Sequence, residues 1–281
     1  MRNIFLSYGT SAFAAARDQL CASALAVGFD AALARGPEHL DPDFARANAA
    51  LLSRPRGGGY WAWKPQIILQ ELRSLGPGDV LVYCDAGRSP YTRLTLLPAT
   101  LLEKARSLGF LVGPMIPQHG PISRWTKRDA LLLLGMDRPE IHALPPVQAT
   151  WSLWTPTPAA FRFLEHWQEA CADPRCVSDD PNTLGEENLP DFRDHRHDQA
   201  LASLLAYREN APVLDYRNTP LFRILALRPQ SSLAHAFLKR LDDAERMERG
   251  EVIMGVFRSF LSIKRASVQS GRKRSAAEPS M

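Results

Sequence analysis

Cysteine is scarce, with four in 281 residues: Cys21, Cys84, Cys171 and Cys176. So few, so widely scattered, exclude a disulfide-stapled framework. Cys171 and Cys176 also lack the second Cys or His pair that a structural zinc needs. A reduced, cytoplasmic setting is the expectation. No run reaches the roughly 18 apolar residues of a membrane span. The apolar start Ile4-Phe5-Leu6 gives way at Ser7-Tyr8-Gly9-Thr10-Ser11 before a secretory core can form. No G-x-G-x-x-G joins the first strand to the first helix, which argues against a dinucleotide cofactor. An excess of one charge is also missing: the formal net charge is +4, and in residues 264–281 Lys264, Arg265, Arg272, Lys273 and Arg274 face only Glu278. The rest of the chain is close to balance, which argues against a nucleic-acid partner.

What is present is 45% hydrophobic residues, enough to cover one large α/β core. Residues 3–8 read as a buried strand and residues 11–27 as a helix with Phe13, Leu20, Ala24 and Val27 on one face, closed by Gly28. Asp41 and Pro42 have the pattern of an N-cap and first helical residue, opening a short helix to about residue 52. A glycine loop, Gly57-Gly58-Gly59, precedes Trp61, Trp63 and Lys64, and Pro65 suits the first turn of a helix with Ile68, Leu72 and Leu75 in an apolar stripe. Residues 80–84 form a continuous apolar run, expected to be a central parallel strand that ends in Asp85-Ala86-Gly87. Ligands of open α/β sheets collect beyond the carboxyl ends of strands, which would place Asp85 at a crevice.

Residues 98–108 predict a helix, 110–116 a strand, 147–154 a strand, and 158–172 a helix with Phe161, Leu164 and Trp167 inward. Thr126 and Asp129 have capping-box spacing. Lys127 and Arg128 then fall in a first turn, where cations oppose the helix dipole unless an anion docks there. An acidic, irregular stretch follows from 173 to 194, and His195-Arg196-His197-Asp198-Gln199 opens a helix over about 200–206. That cluster has two readings: Asp198 as a cap between solvated histidines, or a site in which Asp198 acts as a base and a histidine as a metal ligand. Residues 213–216 read as a last strand and 222–254 as a charged helix.

The stretches Gly57-Gly58-Gly59-Tyr60-Trp61-Ala62-Trp63-Lys64-Pro65, Gly78-Asp79-Val80-Leu81-Val82-Tyr83-Cys84-Asp85-Ala86-Gly87, Trp125-Thr126-Lys127-Arg128-Asp129 and His195-Arg196-His197-Asp198-Gln199 together resemble bacterial glycosyltransferases of the GT-A fold. The resemblance covers roughly residues 3–220. It implies a Rossmann-like mixed α/β sheet flanked by helices, with a C-terminal helical extension. Residues 1–225 would be one catalytic domain, with a nucleotide-binding half to about 120 and an acceptor half from 121. Residues 226–263 would be the extension and 264–281 a disordered basic tail.

The implied activity is transfer of a sugar from a nucleotide-diphosphate donor to a glycan or lipid-linked acceptor in cell-surface polysaccharide synthesis. The alternative, motivated by Gly87, is a non-catalytic carbohydrate- or nucleotide-binding protein on the same scaffold. The implied donor-binding set is Tyr8, Trp61, Trp63, Lys64, Asp85, Ala86, Gly87, Lys127, Arg128, Gln148 and Gln199. Asp198 is the candidate catalytic residue, with Glu187 as the alternative base. The implied cofactor is a divalent cation, Mn²⁺ or Mg²⁺, on Asp85 and on His197, which is similar in place to the late metal-binding histidine of such enzymes; Gly87 departs from the usual D-x-D motif at its second acid. Phe257, Phe260, Leu261 and Ile263 beside Arg258, Lys264 and Arg265 suggest peripheral contact with the inner face of a membrane.

Overall fold

A computed structural model of the protein describes residues 1–87, 94, 97 and 99–215. All of them belong to one unit, Met1–Thr219. The expected helix over 222–254, the extension, the basic tail and the membrane-contact residues lie outside the described residues, as do Pro98 and Tyr216 at the edges of two predicted elements.

Strand β1 (Asn3–Tyr8) leads through a 3-10 turn into helix α1 (Ala14–Ala26). Its buried face is Leu20, Cys21 and Ala24, whereas Phe13 is exposed. The predicted apolar face is therefore rotated, because the helix begins after Phe13 and not at Ser11. Gly28, at φ 106°, ends it in the left-handed region open to glycine. Strand β2 (Ala31–Arg35), which the sequence pattern hides behind alanines, pairs in parallel with β1. Helix α2 (Pro42–Ala47) is capped by Asp41, whose carboxylate accepts from the Asp43 and Phe44 N–H groups. Two single turns follow, α3 (Ala49–Leu52) and α4 (Gly57–Tyr60).

Helix α5 (Trp63–Leu72) is buried on nearly every side rather than along one stripe, lying between the sheet and a later helix. Strand β3 (Val80–Cys84) is central and fully buried, as the apolar run predicts. It is parallel to β1 but antiparallel to the strand on its other side, so the sheet is mixed. Helix α6 (Ala99–Leu108) precedes β4 (Phe110–Leu111) and β5 (Pro114–Met115). The single strand predicted over 110–116 divides at Gly113, whose φ is 141° and where a Cβ would meet the Gln148 carbonyl oxygen at 2.2 Å.

Helix α7 (Arg128–Leu133) starts from Lys127 as N-cap, so Thr126 and Asp129 form no capping box. Asp129 instead accepts from the Thr183 N–H and hydroxyl and from the Leu184 N–H, anchoring the acidic stretch. After α8 (Pro139–His142), β6 (Trp151–Trp154) is shorter than the predicted 147–154; Val147 makes only an isolated bridge to Met115. Helix α9 (Pro158–Ala172) matches its expected bounds, but Phe163 points inward where Phe161 was expected. The acidic stretch holds one turn, α10 (Pro174–Val177), before α11 (His197–Arg208) and β7 (Leu214–Asp215).

The main sheet runs β2-β1-β3-β6-β4, and β5 pairs in parallel with β7 in a second, two-stranded sheet. Helices flank the main sheet, and one continuous core joins Ile4, Leu6, Leu81 and Tyr83 to Ile67, Ile68, Phe163, Trp167 and Leu201. Among the described residues, no helix is long and apolar enough to cross a membrane.

Candidate functional site

Beyond the end of β3 the fold leaves a cleft of about 150 Å³ lined by Arg56, Trp61, Lys64, Asp85, Ala149, Thr150, Arg196, His197, Asp198 and Gln199. Four sequence-distant segments build it: residues 56–64, Asp85, Ala149-Thr150 and residues 196–199. The glycine turn supplies one wall through an unusual run of left-handed backbone: Gly57, Gly58, Gly59, Tyr60 and Trp61 have φ of 61°, 58°, 92°, 56° and 58°. Gly59 has no substitute, since a Cβ there would lie 2.7 Å from Leu52 Cα and 2.9 Å from the Leu51 oxygen. This coil sets the Trp61 indole over His197, with ring centroids 5.7 Å apart. It also starts α5 so that Lys64 points into the protein.

Lys64 is 2% exposed. Its Nζ lies 2.7 Å from Asp198 Oδ2 and 3.0 Å from Asp85 Oδ1, and it donates to the Ala149 carbonyl at 3.3 Å. Burial pushes its pKa down, but Asp198 and Asp85 more than reverse that, so the ammonium stays charged. One ammonium cannot fully compensate two carboxylates. Burial raises the Asp198 carboxyl to about 6, Lys64 offsetting part of the rise and Asp85 adding to it. The Lys64 ammonium, 2.7 Å from Asp198 Oδ2, is that buried oxygen's charge partner and holds the carboxylate in place. Asp85 is fixed further by the Tyr83 hydroxyl, which donates to Oδ1 at 2.5 Å.

The histidines are not solvated. His195 Nε2 donates to the Cys176 carbonyl at 2.8 Å, while its Nδ1 accepts from the Lys127 N–H at 3.2 Å. Burial, followed by the neighbouring His197, pushes its pKa down to about 3, so the ring is neutral. His197 Nδ1 lies 2.8 Å from the Val177 carbonyl and must donate to it, which leaves Nε2 as a bare lone pair. That Nε2 is buried, lacks a hydrogen-bond partner and lies 3.7 Å from Asp179 Oδ1, while the residue lines the cleft. Asp198 does not cap α11, whose N-cap is Arg196. Both histidines tie the acidic stretch to the start of that helix.

At the cleft mouth Arg56 contacts Asp179 Oδ2 at 3.0 Å and Asp194 Oδ2 at 2.9 Å. Arg196 lies with its guanidinium carbon 4.7 Å from the Trp125 ring centroid, and its nearest paired carboxylate is Asp194 at 4.0 Å. Neither arginine is among the site residues expected from sequence, although Arg196 lies within the His195–Gln199 cluster and Arg56 immediately precedes three glycines.

Of the residues singled out from sequence, the fold brings Trp61, Lys64, Asp85, His197, Asp198 and Gln199 to this cleft. Tyr8 and Trp63 stack on each other in the core at 3.8 Å. Lys127 Nζ donates to the Asp180 carbonyl at 2.6 Å, and Arg128 pairs with Asp137 at 2.9 Å; neither lines the cleft. Glu187 is exposed on the acidic stretch. Ala86 and Gly87 are half-buried just past β3, and Gln148 donates to the Thr150 hydroxyl at 3.1 Å.

Among the described residues, the donor set around Asp85 and His197 does not fit an ion held by protein side chains alone. Among the described residues no three His, Cys, Asp or Glu side chains group to hold one. Both oxygens of Asp85 already face the Lys64 ammonium, at 3.0 and 3.2 Å.

No protein-family model matches the chain, and no curated protein matches it. Among solved structures, the apo crystal structure of mouse xyloside xylosyltransferase 1 is similar at a TM-score of 0.40 and 14% identity, over 76% of this chain and 84% of that chain. A likeness this slight leaves the activity to be argued from the cleft.

Proposed function

We propose that the protein is a GT-A-like glycosyltransferase that moves a sugar from a nucleotide-diphosphate donor to a glycan or lipid-linked acceptor. One observation carries the reading: the cleft is divided chemically, with hydrogen-bond acceptors at its floor, guanidinium groups at its mouth and an indole on its wall. His197 Nε2 is a buried acceptor without a hydrogen-bond partner, and the Asp198 carboxylate, paired with Lys64, keeps lone pairs to spare; both suit hydroxyl donors such as those of a sugar. Arg56 and Arg196 suit an anion, and Trp61 offers a flat apolar face for a ring. A molecule carrying hydroxyls at one end and phosphates at the other complements both.

In this reading Asp198 takes the proton of the acceptor hydroxyl. The freed oxygen forms a bond to the anomeric carbon as the bond from that carbon to the donor phosphate breaks, and the nucleoside diphosphate leaves with the electron pair. Its raised pKa suits a group that accepts a proton near neutrality. Guanidinium groups fixed where the leaving oxygens gain charge lower the barrier.

The test is a transfer and donor-hydrolysis assay over a panel of nucleotide sugars. Wild type should turn over at least one donor, and Asp198→Asn should lose about 10²–10⁴-fold in rate, the usual contribution of a positioned base. Gly87 keeps a second reading in play, a binding protein without turnover. Donor binding with no turnover across the panel would establish that reading instead.

A further inference from the structure

The cleft holds its two carboxylates, Asp85 and Asp198, together with a lysine side chain. Lys64 Nζ lies within 3.0 Å of both Asp85 and Asp198 and is 2% exposed. A metal bridging those carboxylates would have to expel a buried ammonium that already has three acceptors around it, the third being the Ala149 carbonyl. Lys64 is equally unable to serve as a free phosphate ligand, because its protons point to those partners. The phosphate charge must therefore be met elsewhere in the cleft.

Arg196 is the group positioned to meet it. Its backbone N–H donates to the Trp125 carbonyl at 3.0 Å, and its side chain rests on the Trp125 ring, so the guanidinium is oriented without a close carboxylate consuming it. It is also the N-cap of the twelve-residue α11, whose positive dipole end faces the same cleft. Arg56 stands across the mouth, shared between Asp179 and Asp194.

We infer that the cleft takes the diphosphate of its ligand without a divalent cation: Lys64 is the positioning residue that fixes Asp85 and Asp198, and Arg196, helped by Arg56, contacts the phosphates. The inference rests on the nucleotide-sugar reading above, and it makes the fixed cations of the chain do the charge neutralisation.

Calorimetric titration of UDP and GDP into the full chain, once in excess EDTA and once in excess Mn²⁺, tests it. At least one nucleotide should bind with an affinity that differs less than about three-fold between the two conditions, a free-energy difference under half that of a ten-fold change. In EDTA, Arg196→Gln should weaken it about ten-fold or more, as expected for loss of a charge-assisted hydrogen bond. Arg56→Gln should weaken it less, because that side chain is already shared. Thermal unfolding of each variant checks that it is folded. Binding that appears only with Mn²⁺ overturns the inference while leaving the glycosyltransferase reading in place. Binding in EDTA that Arg196→Gln leaves unchanged overturns the phosphate assignment alone. No binding of either nucleotide in either condition, together with no turnover of any donor in the panel, overturns both.

Discussion

Two arrangements of one cation between two carboxylates face the same cleft, and they differ mainly in depth. At the floor Lys64 sits between Asp85 and Asp198, with side-chain exposures of 2%, 27% and 6%. At the mouth Arg56 sits between Asp179 and Asp194, with exposures of 41%, 35% and 37%. Water screens the outer set, so its ion pairs are worth little and its partners can exchange for a ligand. The inner set has given up solvation, and each member depends on the others to remain charged. The same pairing chemistry thus gives a rigid base plate below and an exchangeable anion contact above.

The largest difference should appear on removing each cation. Lys64→Met leaves two carboxylates in a buried site and should destabilise the fold by about 3–5 kcal/mol in urea unfolding. A loss below about 1 kcal/mol would mean that the floor is solvated like the mouth. Combining it with Asp198→Asn should cost less than the sum of the two single changes, since both act on one contact.

The turn that joins the two sets is next. Gly59→Ala forces a Cβ against immobile backbone at φ 92° and should cost about 1–3 kcal/mol. It should also weaken ligand binding, because Arg56 and Lys64 flank that turn. Unchanged stability and binding would show that the left-handed coil is not what aligns them.

Arg56→Gln should shift stability by no more than about 1 kcal/mol. A larger loss would erase the distinction between floor and mouth.

The smallest effect concerns a pair away from the cleft. Arg2 donates to Asp79 through Nε, Nη2 and its backbone N–H, and these bonds, the side-chain ones first, hold the Asp79 carboxyl down at about 2. Its folded value lies below the unfolded 3.8, so its contribution is present above pH 3.8 and is lost as pH falls through 2. The stability gap between wild type and Asp79→Asn should shrink over that window. A gap that stays constant from pH 5 to about pH 2 would assign the loss to packing rather than to charge.

Much of the fold is legible locally because its signals are local. The apolar run at Val80–Cys84, the Asp41-Pro42 helix start and the periodicity of Pro158–Ala172 each need only a short window of residues. Strand β2 escapes because Ala31-Ala32-Leu33-Ala34 carries helix-like composition, and its pairing with β1 decides the matter. Lys127 and Arg128 look like an anion clamp from their place in a first turn. The fold spends them on the Asp180 carbonyl and on Asp137, partners that no local window contains.

The sequence by itself determined the alternation of strands and helices, the acid at the end of the central strand and the glycine turn before Lys64, since each follows from backbone preference or hydrophobic period. Only the tertiary structure decided which charges meet. Lys64, Asp85 and Asp198 lie on α5, beyond β3 and on α11, and burial among those elements both raises the Asp198 carboxyl and turns Lys64 from a surface cation into a fixed counter-ion. Electrostatic partnership depends on distance and solvent exposure, and neither is written in residue order.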